Sequence, residues 1–323
     1  MTSSVSSPRI SPPRASRAQI VVAFALVYTV WGSTYLTIHI AIETLPALLM
    51  SGARFILAGL LLYGFARRRG TPKERLTFVH WRSALVIGGC LLLGGNGGVA
   101  WGEQYLPTGF VALIVATVPL WMALFAPAFG GRWINWTAAA GIALGLAGIV
   151  LLVRPGGAGA GQWQTLVVLG SPLLWAIGSL YARKAPAPAQ PLTAIAMEMV
   201  AGGCLLALAG IATGELGHVH LANVSFASVA SFVYLVVVGS LVGYVAYIWL
   251  LHHVSPTAAS TYAFVNPVVA VALGALILGE PITLLTVVAA TLIIGAVTLL
   301  LVGQSRSTPE RAVVHEMPVS EVA

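Results

Sequence analysis

The chain has 323 residues, of which 58% are hydrophobic and only 8% charged, and its mean hydropathy is +0.93. Soluble domains carry about 25% charged residues, so these values exclude an ordinary water-soluble enzyme and point to a polytopic membrane protein. The net charge of +7 and pI near 9.8 would suit nucleic acid, but the placement of the charges argues for a membrane, and no nucleic-acid partner is expected.

Residues 1–19 are rich in Ser, Pro and Arg and read as a disordered tail. The apolar stretch that follows is too long for the core of a signal peptide and is expected to stay as the first span. A crossing needs roughly 20 apolar residues. Ten windows qualify: 20–42, 46–66, 82–104, 108–130, 134–153, 164–183, 191–212, 228–251, 256–279 and 283–302. The fold class is therefore an all-α integral membrane protein with ten transmembrane helices. Five spans fall in 20–153 and five in 164–302, with a linker over 154–163 and a second tail over 303–323. No connection is long enough to hold a soluble catalytic domain.

With the amino terminus inside, fourteen Lys and Arg residues fall on the cytoplasmic side, among them Arg67, Arg68, Arg69, Lys73, Arg82 and Arg132, while the outside holds Arg154 alone. That asymmetry places both termini in the cytoplasm of a cell membrane. The Arg67 to Arg82 cluster reads as a topology determinant near anionic lipid.

The second half echoes the first. Pro107-Thr108 is followed by Pro119 and then Gly131-Arg132; Pro256-Thr257 is followed at similar distances by Pro267 and then Gly279-Glu280. Gly32-Ser33-Thr34-Tyr35 in span 1 matches Gly178-Ser179-Leu180-Tyr181 in span 6. Because each copy holds an odd number of spans, the second must enter the membrane upside down. Inverted repeats of this kind place a solute site between the copies.

Several chemistries are missing. All nine acidic residues are Glu, which removes an aspartyl-phosphate pump, an intramembrane aspartyl protease and a Walker-B carboxylate. The run Gly156 to Gly161 lacks the Gly-Lys-Ser/Thr ending of a phosphate cradle and reads as the linker. Six of the seven His lie at span ends, in loops or in a tail, and His39 is near the end of span 1, with no nucleophile elbow anywhere. Cys90 and Cys204 fall inside spans and suggest neither a metal site nor a disulfide. No enzyme activity and no cofactor is expected, and any transport must run on a solute or ion gradient.

Two ionisable side chains sit deep in the spans. Arg54 in span 2 and Glu198 in span 7 occupy corresponding places in the two copies, and each costs about 2.5 to 3.5 kcal/mol on insertion scales unless it faces protein or water. Arg54 reads as a contact for an anionic solute group, and Glu198 as a proton or cation site. A structural ion pair is the alternative. Pro119 and Pro267 interrupt spans 4 and 9 at matching positions, and paired interruptions point to a transport site. Thr117 and Asn266 stand beside them to bond freed carbonyls or solute. Trp31 and Trp175 flank the repeated Gly-Ser-x-Tyr segments, which end at Tyr35 and Tyr181, and can stack on an amphipathic solute or pack as core. Asn96 lies in a glycine run of span 3, where helices approach closely or unwind. Gly141-x3-Gly145 and Gly239-x3-Gly243 read as packing faces, and a homo-oligomeric contact stays open.

The segments WGSTY (31–35), GNGG (95–98), ATVPLW (116–121), AMEMVAGG (196–203), SPTAASTYAFVNPVVAV (255–271) and LGEPIT (278–283) resemble the EamA family of the drug/metabolite transporter superfamily. The resemblance covers about residues 20–302 and implies two inverted five-helix repeats that export metabolites or drugs, coupled to protons, with Tyr262 among the site residues. Arg132 departs from the pattern, standing where the second copy has Glu280. Two other readings are a nucleotide-sugar or phosphate antiporter, disfavoured because only one Arg and no Lys lies within a span, and a lipid-binding or lipid-modifying membrane protein.

Overall fold

Ser16 opens the first helix: its hydroxyl accepts from the Gln19 amide at 3.2 Å and its own amide donates to the Gln19 side chain at 2.8 Å, a reciprocal cap. From there the computed structural model describes residues 16–68, 75–130, 133, 135–153, 162–254 and 262–306. Among these residues the regular structure is all helical and contains no strand, because in hydrocarbon only a helix satisfies its own backbone polar groups within one segment. The tails beyond these bounds, the linker residues 154–161, Arg69, Lys73, Arg132, Arg154 and the Pro256-Thr257 pair lie outside the described residues.

Ten apolar segments follow in chain order: α1 (Arg17–Ile42), α2 (Ala47–Arg68), α3 (Phe78–Gly102), α4 (Thr108–Phe129), α5 (Trp136–Val153), α6 (Gln162–Ala182), α7 (Pro191–Ala212), α8 (Phe226–Tyr234 continuing through Leu235–Val242 to Gly243–His253), α9 (Tyr262–Ile277) and α10 (Leu284–Arg306). Among the described residues, seven of them are long and apolar enough to cross a membrane; α5, α9 and α10 contain shorter apolar stretches, Trp136–Leu151, Val265–Ile277 and Leu284–Leu299. Of the ten crossings expected, the described residues show ten helical segments but seven of full spanning length. For α9 the shortfall lies at its start, since the expected span begins at 256 and the described helix at Tyr262.

Packing is organised by glycine. A Cβ on Gly52 of α2 would stand 2.8 Å from the Ala207 nitrogen, and one on Gly203 of α7 would stand 2.8 Å from the Ile56 nitrogen, so the two backbones cross where neither carries a side chain. Gly88 of α3 and Gly202 of α7 allow a second such crossing. The strongest of the remaining contacts are matched between the halves: α1 packs on α8 and α9 as α6 packs on α3 and α4; α7 receives α3 as α2 receives α8; and α2 with α7, α4 with α9 and α5 with α10 pair directly.

Both third helices are locally π-helical, over Gly89–Gly97 in α3 and Leu235–Val242 in α8. The two interrupting prolines differ in effect. α4 breaks between Val115 and Val118 and Pro119 starts its second half, whereas Pro267 sits inside the continuous α9. Thr117 repairs the break by donating to the Ile114 carbonyl at 2.6 Å and accepting from the Trp121 indole at 3.1 Å. The largest apolar core lies at the end where α1 and α3 stop and α2 and α4 start, around Ile38, Met50, Leu106 and Phe110.

Candidate substrate site

Arg54 is 5% exposed, and its Nε–H donates to the Ser240 hydroxyl at 3.1 Å. Its guanidinium lies 4.6 Å from the Phe55 ring centroid. Gly239 makes this possible, because a Cβ there would stand 3.3 Å from the Arg54 Nη2 and 3.2 Å from Thr34. Among the described residues only Nε–H has a hydrogen-bond partner, so the two Nη groups remain as unused donors in an apolar interior. Gly243, one turn on, clears space for the Trp31 indole, whose Nε1 would be 2.5 Å from a Cβ at that position.

Trp31 is the centre of an aromatic cluster. Its ring meets Tyr262 edge-on at 4.9 Å, Tyr247 at 5.1 Å and Tyr244 at 5.8 Å, and Tyr247 meets Tyr262 at 5.6 Å. Such edge contacts add about 0.5 to 1.5 kcal/mol each beyond burial. Tyr244 interacts electrostatically with both Arg54 and Glu198. Glu198 borders a cleft lined by Ile87, Leu91, Ile195, Met199 and Tyr244, with room for about one water molecule. Among the described residues no ion pair or hydrogen bond joins Glu198 to Arg54. Tyr35 follows Trp31 by about one turn of α1 and is half-buried.

The structure therefore gathers Arg54, Trp31, Tyr35, Tyr262 and, through Tyr244, Glu198. The other sequence-predicted residues stand elsewhere. Trp175 covers Gly95 of α3, where a Cβ would lie 2.6 Å from its ring, and Asn96 and Tyr181 are half-buried on α3 and α6. Among the described residues, no hydrogen bond or ring contact joins these three to Arg54. Asn266 is 8% exposed with its Oδ1 lacking a partner, and Pro267 beside it is buried. Pro119 follows the Thr117 repair and is half-buried.

Ser240, Tyr244 and Tyr247 were not legible as site residues, since nothing in a run of apolar and aromatic residues says which of them face inward. The glycines at 239 and 243 carried the only signal. Three carboxylates at the span ends were also missed. Glu215 accepts from the Leu48 and Leu49 amides at 2.9 to 3.1 Å, and Glu280 from the Thr108 amide at 2.6 Å and the Gly109 amide at 3.2 Å. Each places a negative charge on a helix N-terminus, α2 and α4 respectively, where unsatisfied N–H groups favour it. Glu103 is 1% exposed, both its oxygens lack a partner, and it interacts electrostatically with Glu280 and Tyr35; its carbonyl meets His39 Nδ1 at 3.2 Å.

The sequence matches the EamA-like transporter family twice, over residues 19–154 and 162–302. It is 39% identical over 284 residues to the uncharacterized inner membrane transporter YedA of Escherichia coli K12, covering 87% of this chain and 90% of that one. It is 26% identical over 291 residues to a probable amino-acid metabolite efflux pump of Salmonella typhimurium, covering 83% and 90%. A solved structure described only as the crystal structure of a protein superposes with a TM-score of 0.60 at 19% identity, over 91% of this chain and all of that one, which speaks for the fold alone.

Proposed function

Since the chain belongs to the EamA-like transporter family, we propose that it is a proton-coupled secondary transporter that exports small amphipathic, carboxylate-bearing metabolites across the cytoplasmic membrane. The observation that carries this reading is Arg54: a buried guanidinium with unused donors, bound to Ser240 one turn from the Gly243 that receives Trp31 and its three Tyr neighbours, suits a ligand with an anionic head and an apolar body. The similarity to an amino-acid metabolite efflux pump supports the same solute class. In this reading the ten segments all cross the membrane, the two halves are inverted copies, and the contacts matched between the halves support that inversion. Glu198 is the proton site, reached through its water-sized cleft and linked to Arg54 by Tyr244.

Purified protein in proteoliposomes tests the proposal. An imposed pH gradient should drive accumulation of zwitterionic, amino-acid-like solutes, and collapsing the gradient should stop it. Flux that ignores the gradient would remove proton coupling; no flux across a broad panel of such solutes would remove the solute class.

A further inference from the structure

A groove of about 710 Å³ runs between α1, α2 and α8, and Arg54 is not among its lining residues. Its walls are residues such as Val22 and Leu26 of α1, Leu61 and Phe65 of α2, and Val245 and Trp249 of α8. Gln19 and the Trp249 indole are the only polar side-chain groups among its lining residues. Val22, Leu26, Leu61, Phe65 and Val245 are all exposed on the protein itself, so in a membrane they must be covered by hydrocarbon. A concave wall shared by three helices holds one chain more firmly than a convex helix face does.

The mouth of the groove is marked by charge. Ala18 and Gln19 line it, and Arg17 directly precedes them; Phe65 lines it, and Arg67 and Arg68 follow within one turn. Arg67 is held in place, its Nε–H donating to the Tyr63 hydroxyl at 3.0 Å and its guanidinium lying 5.2 Å from the Tyr63 ring centroid. Guanidinium groups at one end of an apolar slot match a phosphate joined to acyl chains, and a fixed Arg binds phosphate in a way that bulk lipid contact does not supply.

We propose that this groove is a binding site for one anionic glycerophospholipid, with an acyl chain between α1, α2 and α8 and the phosphate at Arg17, Arg67 and Arg68. The site depends on neither the transported solute nor the coupling ion. Leu241 and Val242, which line the groove, directly follow Ser240 in the π-helical stretch, so a bound lipid steadies the segment that holds Arg54.

Native mass spectrometry of the full chain, titrated in detergent with phosphatidylglycerol or with phosphatidylcholine of the same acyl chains, tests the site. The first phosphatidylglycerol adduct should form at about tenfold lower lipid concentration than the phosphatidylcholine adduct, since the guanidinium groups at the mouth attract a headgroup of net negative charge. Arg67→Gln combined with Arg68→Gln should erase that preference while leaving the melting temperature unchanged. Val245→Trp, which fills the groove from an exposed position, should weaken both adducts. Equal binding of the two lipids by the unaltered protein, which means annular lipid only, overturns the proposal even if a variant fails to fold; so does a preference that survives the double Arg substitution.

Discussion

Arg54 shows how much a single side chain can be worth when water is excluded. Its Nε–H bond to Ser240 fixes the guanidinium plane and leaves the Nη edge to be satisfied by something other than described protein atoms. If that partner is a solute carboxylate, Arg54→Gln should raise KM for carboxylate-bearing solutes at least tenfold, roughly the 1.5 to 3 kcal/mol of a charge-assisted hydrogen bond. Arg54→Lys should recover only part of the loss, because an ammonium lacks the planar fork. Arg132→Gln, at the expected cytoplasmic surface, should change KM little; equal losses in the two Gln variants would take Arg54 out of the site. Glu198→Gln is the matching test of coupling. It keeps the shape of the side chain, so the protein should fold and still exchange solute between the two sides, but transport driven by a pH gradient should fall to background. Undiminished gradient-driven uptake in that variant would return Glu198 to a packing role.

At the scale of elements, glycines and helix termini decide the geometry. Gly243→Val places carbon where the Trp31 indole lies, and should lower activity with a modest loss of thermal stability, whereas Gly64→Val, with nothing within 4 Å of a Cβ, should leave both unchanged apart from a small helix-propensity effect. Glu280 and Glu215 clamp the starts of α4 and α2 from loops distant in sequence. Glu280→Gln should cost about 1 kcal/mol, seen as a lower melting temperature in detergent, because it removes the charge from a helix N-terminus while keeping an acceptor. A melting temperature equal to that of the unaltered protein would show that the clamp holds no net stability. Little of this was readable beforehand. The Gly239-x3-Gly243 spacing announced close packing, but its partners, Thr34, Arg54 and Trp31, lie on other helices far away in the chain. The two π-helical stretches have no signature in hydropathy, since one extra residue in a turn leaves an all-apolar pattern unchanged.

Among the described residues, the strongest contacts between helices are matched when the two halves are exchanged. In the proposed reading of five crossings in each half, the two halves insert in opposite directions and both termini lie on one side. A cysteine placed at Lys73 should therefore resist a membrane-impermeant thiol reagent added to intact cells and react in inverted vesicles, while one placed in the 154–161 linker should do the reverse. Labelling of the Lys73 position from outside would overturn the orientation and, with it, the cytoplasmic assignment of the groove mouth at Arg17, Arg67 and Arg68.

Hydropathy determined that this is a helical membrane protein and where nearly every helix begins and ends, because the lipid solvent imposes a length and composition on each segment that shows in any short window; the matched proline and glycine motifs showed that its two halves are copies. The buried charges at 54 and 198 stood out for the same reason: hydrocarbon makes them costly wherever they occur. Tertiary structure decided the rest. It placed Trp31, Tyr244, Tyr247 and Tyr262 around the segment that holds Arg54, set Trp175 and Asn96 apart from it, and turned three carboxylates at span ends toward the protein. In a helix that is apolar on every side no periodicity separates the face turned to lipid from the face turned to another helix, so those contacts exist only once the ten segments have packed.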